Sequence, residues 1–226
     1  MTATQNILKR LLDFSLSLIG LLVLSPILII GWILASYSTR SNGFFIQERI
    51  GLYGKKFKVF KLKTMKDSNC SHSSVTALNE NRITRVGLFL RKTKVDELPQ
   101  LINVLFGQMS FVGPRPDVPG FADILEGDDR VVLQLRPGIT GLATIYFRYE
   151  EDILNKVSNP ETFNSEIIFP LKVILNKQYF STFSFKQDVD CILQTACGLT
   201  IFSKSIEPIK TPEECANMLD KYNVKN

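Results

Sequence analysis

The stretch Phe14–Tyr37, FSLSLIGLLVLSPILIIGWILASY, carries no charged side chain and governs how the rest of the chain is arranged. At 1.5 Å rise per residue, about 20 apolar residues cover a hydrocarbon core about 30 Å thick, so Leu16 to Ala35 is long enough to enter a bilayer. A secretory signal would be shorter and would end on small residues, whereas Trp32 and Tyr37 close this segment, so cleavage is not expected. Ser25 and Pro26 interrupt its middle. The proline removes a backbone donor and crowds the preceding turn, so a kink is expected there, with a serine hydroxyl or a neighbouring helix satisfying the freed carbonyl.

Lys9 and Arg10 precede the segment, and Arg40, Arg49, Lys55, Lys56, Lys58, Lys61 and Lys63 follow it. Basic flanks favour the cytoplasmic side, so the two ends vote for the same face of the membrane. A re-entrant helix, bent at Ser25 and Pro26 and returning to its own side, satisfies both votes; a simple span and a buried soluble hairpin are the competing readings. The expected organisation is a membrane helix over 1–40, a compact catalytic domain over 41–202 and a polar tail over 203–226.

The chain has 226 residues, 45% hydrophobic and 22% charged, which fits a folded protein with one catalytic domain. Its net charge of +5 suits an anionic partner without choosing among nucleic acid, anionic lipid and phosphorylated small molecules. Cys70, Cys191, Cys197 and Cys215 show no paired metal spacing, and His72 is the sole histidine. The cysteines read as reduced thiols.

After the apolar segment, FFIQERIG and KKFKVFKLKTM, joined through Gly51 to Gly54, read as a β-hairpin. Residues 66–80 are rich in Ser and Asn and read as a surface loop, with His72 a solvated residue inside it. The most informative stretch is 82–116, RITRVGLFLRKTKVDELPQLINVLFGQMSFVGPRP. Leu98, Leu101, Ile102, Leu105 and Phe106 recur at helical spacing, Gly107 suits the stop, and Pro99 belongs in a first turn, which predicts a helix starting near Asp96. Asp96 and Glu97 then sit at a helix N-terminus, which favours their ionised forms.

An ionised carboxylate is a nucleophile or a metal ligand. Equally, Asp96 caps the helix while Glu97 decorates its first turn. Arg91, Lys92 and Lys94 come just before the pair. Arg115 follows between Pro114 and Pro116, which stiffen its backbone and preset its fork for phosphate, and Arg136 in RPGITG lies on another stiffened loop. A few anions among several cations is the mixture phosphoryl transfer uses.

The ordered set of Ser and Pro in the apolar segment, FFIQERIG, FKLKTM, LRKTKVDELPQLINVLFGQMSFVGPRP and RPGITG resembles the bacterial sugar transferases called small monotopic phosphoglycosyl transferases, over about residues 5–200. The resemblance implies transfer of a sugar-1-phosphate from a nucleotide diphosphate sugar, usually a UDP sugar, to a polyprenyl phosphate such as undecaprenyl phosphate, releasing UMP and initiating glycan assembly. It implies Mg2+ as cofactor, Asp96 as the nucleophile forming an aspartyl phosphosugar, and Glu97 with Asp96 as the metal ligands. Lys63, Arg91, Arg115 and Arg136 are the implied phosphate-binding residues. The implied location is the bacterial inner membrane, with the catalytic domain on its cytoplasmic face. Partners are then the nucleotide sugar, the polyprenyl phosphate and membrane lipid, with a homodimer as a candidate assembly and no nucleic acid.

Where the family commonly has a Glu and Asn pair, this chain has Ser181 and Thr182, although Tyr179, Ser184 and Asp188 match. Asp188, Val189 and Asp190 form a DxD tripeptide, but Phe185, Val189, Ile192, Leu193 and Ala196 place it on a helix. Residues two apart lie about 200° around such an axis, so the two carboxylates point apart and Asp188 reads as an anchor to the core or to a basic site residue. The alternatives are a glycosyltransferase that releases UDP and a non-enzymatic scaffold binding anionic lipid through the lysines of 55–63. The expected fold is α+β and mainly helical, with a short hairpin, loops carrying Arg115 and Arg136, helices from about Glu161 to Gly198, and a short surface helix in the tail with Thr211 as cap and Pro212 at its first position.

Overall fold

The structure, a computed structural model, describes residues 1–67 and 82–223. The polar stretch 66–80, with Cys70 and His72, therefore lies almost wholly outside the described residues. The apolar segment belongs to one continuous helix, α1 (Ala3–Thr39), about 55 Å long at 1.5 Å per residue. Thr2 opens it with a capping box: its hydroxyl accepts from the Gln5 amide, and the Gln5 side chain accepts from the Thr2 amide. Pro26 lies inside α1, and Ser25 Oγ donates to the Leu22 carbonyl at 2.9 Å. Leu22 is the residue four before the proline, so the hydroxyl takes up the carbonyl that Pro26 cannot serve.

Both arms of α1 touch the rest of the protein. Asp13 and Ser17 are buried on the first arm and Gly31, Ala35 and Thr39 on the second, while Leu22 and Val23 between them are 70% and 68% exposed. Small residues let backbones approach closely. A Cβ on Gly20 would lie 3.3 Å from Leu101 Cδ1, and one on Gly31 would lie 2.8 Å from Leu62 Cδ1 and 3.4 Å from Val95 Cγ1.

The predicted hairpin is present. Strand β1 (Phe44–Ile50) pairs antiparallel with β2 (Lys56–Leu62), with Phe44 opposite Leu62 and Ile50 opposite Lys56. Helix α2 (Arg85–Lys92) follows, capped by the Thr84 hydroxyl on the Gly87 amide. The next helix begins later than the sequence predicts. Asp96 lies in a 3-10 turn, Val95–Glu97, and α3 proper is only Gln100–Leu105, with Pro99 capping it. The cause is local: Pro99 has no amide hydrogen for the Val95 carbonyl, which accepts from Leu98 instead at 3.2 Å.

A second, unforeseen pair of strands is parallel: β3 (Ser110–Val112) and β4 (Gly138–Thr140). It joins the GPRP and RPGITG motifs. Gly113 donates to the Thr140 carbonyl at 2.9 Å and Gly138 to the Pro114 carbonyl at 2.7 Å, and a Cβ on Gly113 would lie 2.2 Å from the Arg136 carbonyl. Only glycine allows these two loops to meet backbone to backbone.

The main core is helical. It joins α4 (Leu142–Tyr146), α5 (Glu150–Leu154), α7 (Phe169–Ser181) and α8 (Phe185–Cys197), with α6 (Pro160–Phe163) leading through a π-turn into α7. The tail helix, α9 (Pro212–Asn223), starts with Thr211 as cap and Pro212 in its first position, as the sequence predicts. It does more than lie on the surface, because its Cys215 is buried in the main cluster together with Ile209 just before the helix. Cys191, Cys197 and Cys215 are free thiols.

The close contact at Gly31 makes it sensitive to volume. Gly31→Val should destabilise the protein by about 1–3 kcal/mol through overpacking against Leu62 and Val95. Thermal unfolding in detergent micelles measures this, and an unchanged midpoint would show that α1 does not pack there.

Candidate active site

The carboxylate pair sits where three elements converge. The 3-10 turn supplies Asp96 and Glu97, β2 supplies Lys61, and the loop after β3 supplies Arg115. Glu97 Oε1 accepts from Arg115 Nη2 at 2.7 Å and from Lys61 Nζ at 2.9 Å. Burial alone would raise the Glu97 pKa, but Arg115 and Lys61 outweigh it and hold this carboxyl well below the usual range. Glu97 in turn raises the Arg115 pKa.

Asp96 differs. Only 9% of its surface is exposed, and its Oδ1 has no hydrogen-bond partner among the described residues. Burial, then the neighbouring Glu97 charge, push its pKa up to about 6, with Lys61, Lys94 and Arg91 pulling the other way. This corrects the expectation of a helix N-terminus favouring the ionised form. Asp96 precedes a six-residue helix rather than capping it, and desolvation outweighs what the short dipole supplies.

The predicted phosphate-binding residues divide into two groups. Arg91 and Arg115 surround the pair. The Arg91 Nε donates to Thr64 Oγ1 at 3.0 Å and its charge reaches Asp96. The Lys63 ammonium is committed elsewhere, to Ser41 Oγ at 2.8 Å and Asp67 Oδ2 at 2.6 Å, while its amide carries the hairpin pairing on to the Gly43 carbonyl at 2.7 Å. Arg136 donates its Nε to the Gly107 carbonyl at 3.1 Å, at the opposite end of α3. Asp188 accepts from the Tyr179 hydroxyl at 2.6 Å and from Lys9, while Asp190 accepts from the Ile201 and Phe202 amides. The two carboxylates of the DxD tripeptide thus serve different partners.

The sequence reading counts Lys94 among the cations beside the pair, gives Lys61 and Arg49 only a place in the basic flank, and does not single out Asp117. Lys94 adopts a left-handed φ of 58° two residues before Asp96, and nothing in its residue type signals this. Arg49 Nη1 donates to the Pro116 carbonyl at 3.1 Å and the Ile50 amide donates to the Asp117 carbonyl at 2.9 Å, so β1 clamps the loop that carries Arg115. Burial is the first cause raising the Asp117 pKa to about 6. The signal for Lys61 was its place on the last pleat of a strand.

The sequence profile of bacterial sugar transferases matches residues 4–201, nearly the whole of this architecture. The chain belongs to the bacterial sugar transferase family. It is 42% identical over 67% of its length to the UDP-glucose:undecaprenyl-phosphate glucose-1-phosphate transferase of Klebsiella pneumoniae, and 37% identical over 77% to the enzyme of the same name from Escherichia coli. A shorter relative, the exopolysaccharide production protein PSS of Rhizobium leguminosarum, is 42% identical over 61% of the chain. The alignments span 34%, 40% and 72% of these three relatives.

For this sugar transferase, 13C NMR of selectively labelled aspartate should show Asp96 titrating with a midpoint at about 6. Lys61→Met should raise that midpoint, because it removes the largest opposing cation. A midpoint at the ordinary 3.8 would mean that Asp96 is solvated rather than buried.

Proposed function

We propose that this sugar transferase moves a sugar-1-phosphate from a UDP sugar to undecaprenyl phosphate, releasing UMP, and so begins assembly of a surface glycan. The observation that carries this reading is the buried Asp96 carboxylate, set among cations and with an Oδ1 that has no hydrogen-bond partner among the described residues. Around the pair, Lys61, Lys94, Arg91 and Arg115 bring four positive charges against the two of Asp96 and Glu97.

In the first step an Asp96 oxygen bonds to the sugar-linked phosphorus while the bond to the bridging oxygen breaks, and that oxygen leaves with UMP. In the second, a phosphate oxygen of the lipid attacks the same phosphorus and returns Asp96 as a free carboxylate. Arg115 and Arg91 neutralise the phosphate oxygens, and Glu97, already ionised, holds Arg115 and Lys61 in place. Splitting the transfer lets a soluble and a lipid substrate use one site in turn.

The donor set suits Mg2+. Asp96 Oδ1 is unsatisfied, both contacts of Glu97 fall on Oε1, and Mg2+ is commonly held by one or two carboxylates together with substrate phosphate oxygens. Among the described residues no three acidic, His or Cys side chains form a cage of their own. Asp96 and Glu97 would hold the ion, which when bound would polarise the diphosphate.

The placement that goes with this chemistry is re-entrant. Both arms of α1 contact one domain while the turns between them stay bare, which favours a helix whose two ends stay on one side of the membrane. That side is the cytosolic face, with 1–40 in the membrane, 41–202 catalytic and 203–226 bracing the helical core. With both ends cytosolic, single cysteines at positions 3 and 40 should be equally shielded from an impermeant reagent in intact spheroplasts; opposite accessibility would establish a span.

Identifying the nucleotide product tests the reaction. UMP is expected, and UDP would show direct glycosyl transfer. Asp96→Asn should lower UMP release to background, and retained turnover would remove Asp96 as nucleophile. Because only the carboxylate attacks, the wild-type rate should fall tenfold per pH unit below about 6 and level off above it. A rate independent of pH from 5 to 8 would assign that acid limb elsewhere.

A further inference from the structure

The end of α3 remote from Asp96 carries a second cationic group. Arg10 of α1 donates Nη1 to the Val104 carbonyl and Nη2 to the Leu105 carbonyl, both at 2.6 Å, and Arg136 donates Nε to the Gly107 carbonyl at 3.1 Å. The Arg10 guanidinium lies flat against Gly107, where a Cβ would stand 3.2 Å from its Cζ. These bonds account for the last carbonyls of α3 and for much of Arg10. They do not account for Arg136, whose Nη1 and Nη2 have no hydrogen bond or ion pair among the described residues.

A cavity of about 20 Å³ lies beside that fork, lined by Lys9, Asp13, Ser110 and Arg136 among others. Ser110 is wholly buried, its Oγ has no partner among the described residues, and the cavity has room for one water to satisfy it. A buried hydroxyl without a partner is costly unless something enters to satisfy it. The charges are also unbalanced. Lys9 pairs with Asp188, and Asp13, whose Oδ1 accepts from the Phe111 amide, offsets one of the two guanidiniums. Three cations less two carboxylates leaves one positive charge.

The position limits what can fill it. Arg10 lies one turn before the uncharged run that starts at Phe14, and its guanidinium is 5.9 Å from the Phe14 ring centroid. Phe106, next to Gly107, is 73% exposed. Aromatic side chains and guanidinium groups side by side where an apolar helix leaves water mark the depth of lipid headgroups. We propose that Arg136, beside Arg10, holds the phosphodiester of an anionic phospholipid, at a site separate from the Asp96 centre. A phosphodiester carries the single negative charge that is missing, and its two free oxygens match the arginine fork. The proposal uses the membrane insertion of α1 and stands independently of the reaction assigned to Asp96.

The test uses the full chain in nanodiscs of mixed phosphatidylglycerol and phosphatidylcholine, with lipids that stay bound counted by native mass spectrometry. Wild type should retain phosphatidylglycerol in preference to phosphatidylcholine. Arg136→Gln should reduce that preference about tenfold, the value of one charged hydrogen-bond pair. Arg136→Lys, which keeps the charge without the fork, should fall between, and it decides the matter if the glutamine variant unfolds. Unchanged retention in the variants would overturn the proposal. So would displacement of phosphatidylglycerol by undecaprenyl phosphate at equal concentration, which would make the site an acceptor station, or equally tight binding of inorganic phosphate in micelles, which would make it a soluble-anion site.

Discussion

The Glu97 carboxylate, shared between Arg115 and Lys61, is the contact on which the catalytic face depends. Each partner comes from a different element, so the ion triad ties the hairpin, the turn after α2 and the GPRP loop to one point. A buried charge is tolerated only when paired, and removing one partner of such a group is far more costly than the pair is worth. Holding Glu97 ionised also has a consequence next door. Asp96 must ionise beside a permanent negative charge and with little water, which is why its pKa rises to about 6 while that of Glu97 falls. Two adjacent carboxylates thereby differ, one a fixed ionic anchor and the other carrying an Oδ1 with no hydrogen-bond partner among the described residues.

The same turn is bound to the membrane helix. Leu101 meets Gly20, Val95 meets Gly31, and Arg10 reaches the carbonyls of Val104 and Leu105, so residues 95–105 run antiparallel along α1. Glycine at both contact points allows the approach. Asp96 is therefore placed by the second arm of α1 and the Arg136 fork by the first, and the relation between the two sites is set by one helix.

Much of this was legible in the sequence, and the reasons are particular. The long uncharged run, the hairpin around Gly51 to Gly54, the helices beyond Glu161 and the Thr211 cap all follow from local rules of length, turn chemistry and capping. Pro99 was read correctly as a residue of a helix beginning, yet its missing donor delayed α3 to Gln100 and left Asp96 in a 3-10 turn. The parallel pairing of β3 with β4 was invisible, since three-residue strands show no alternation and the contact joins loops far apart in the chain. Motif position alone likewise could not separate Lys61 from Lys63, or place Arg136 at the far end of α3. Those outcomes depend on which side chains and backbone carbonyls the fold brings within reach, and that is not written in residue type.

The central claim is that Asp96 forms a bond to the transferred phosphosugar. The most direct measurement is peptide mass spectrometry of the purified, membrane-embedded protein after brief mixing with a UDP sugar in the absence of lipid acceptor. The account predicts a sugar-phosphate adduct confined to the peptide containing Asp96, removed when undecaprenyl phosphate is added. An unmodified Asp96 peptide during active turnover, or an adduct on another residue, would contradict it.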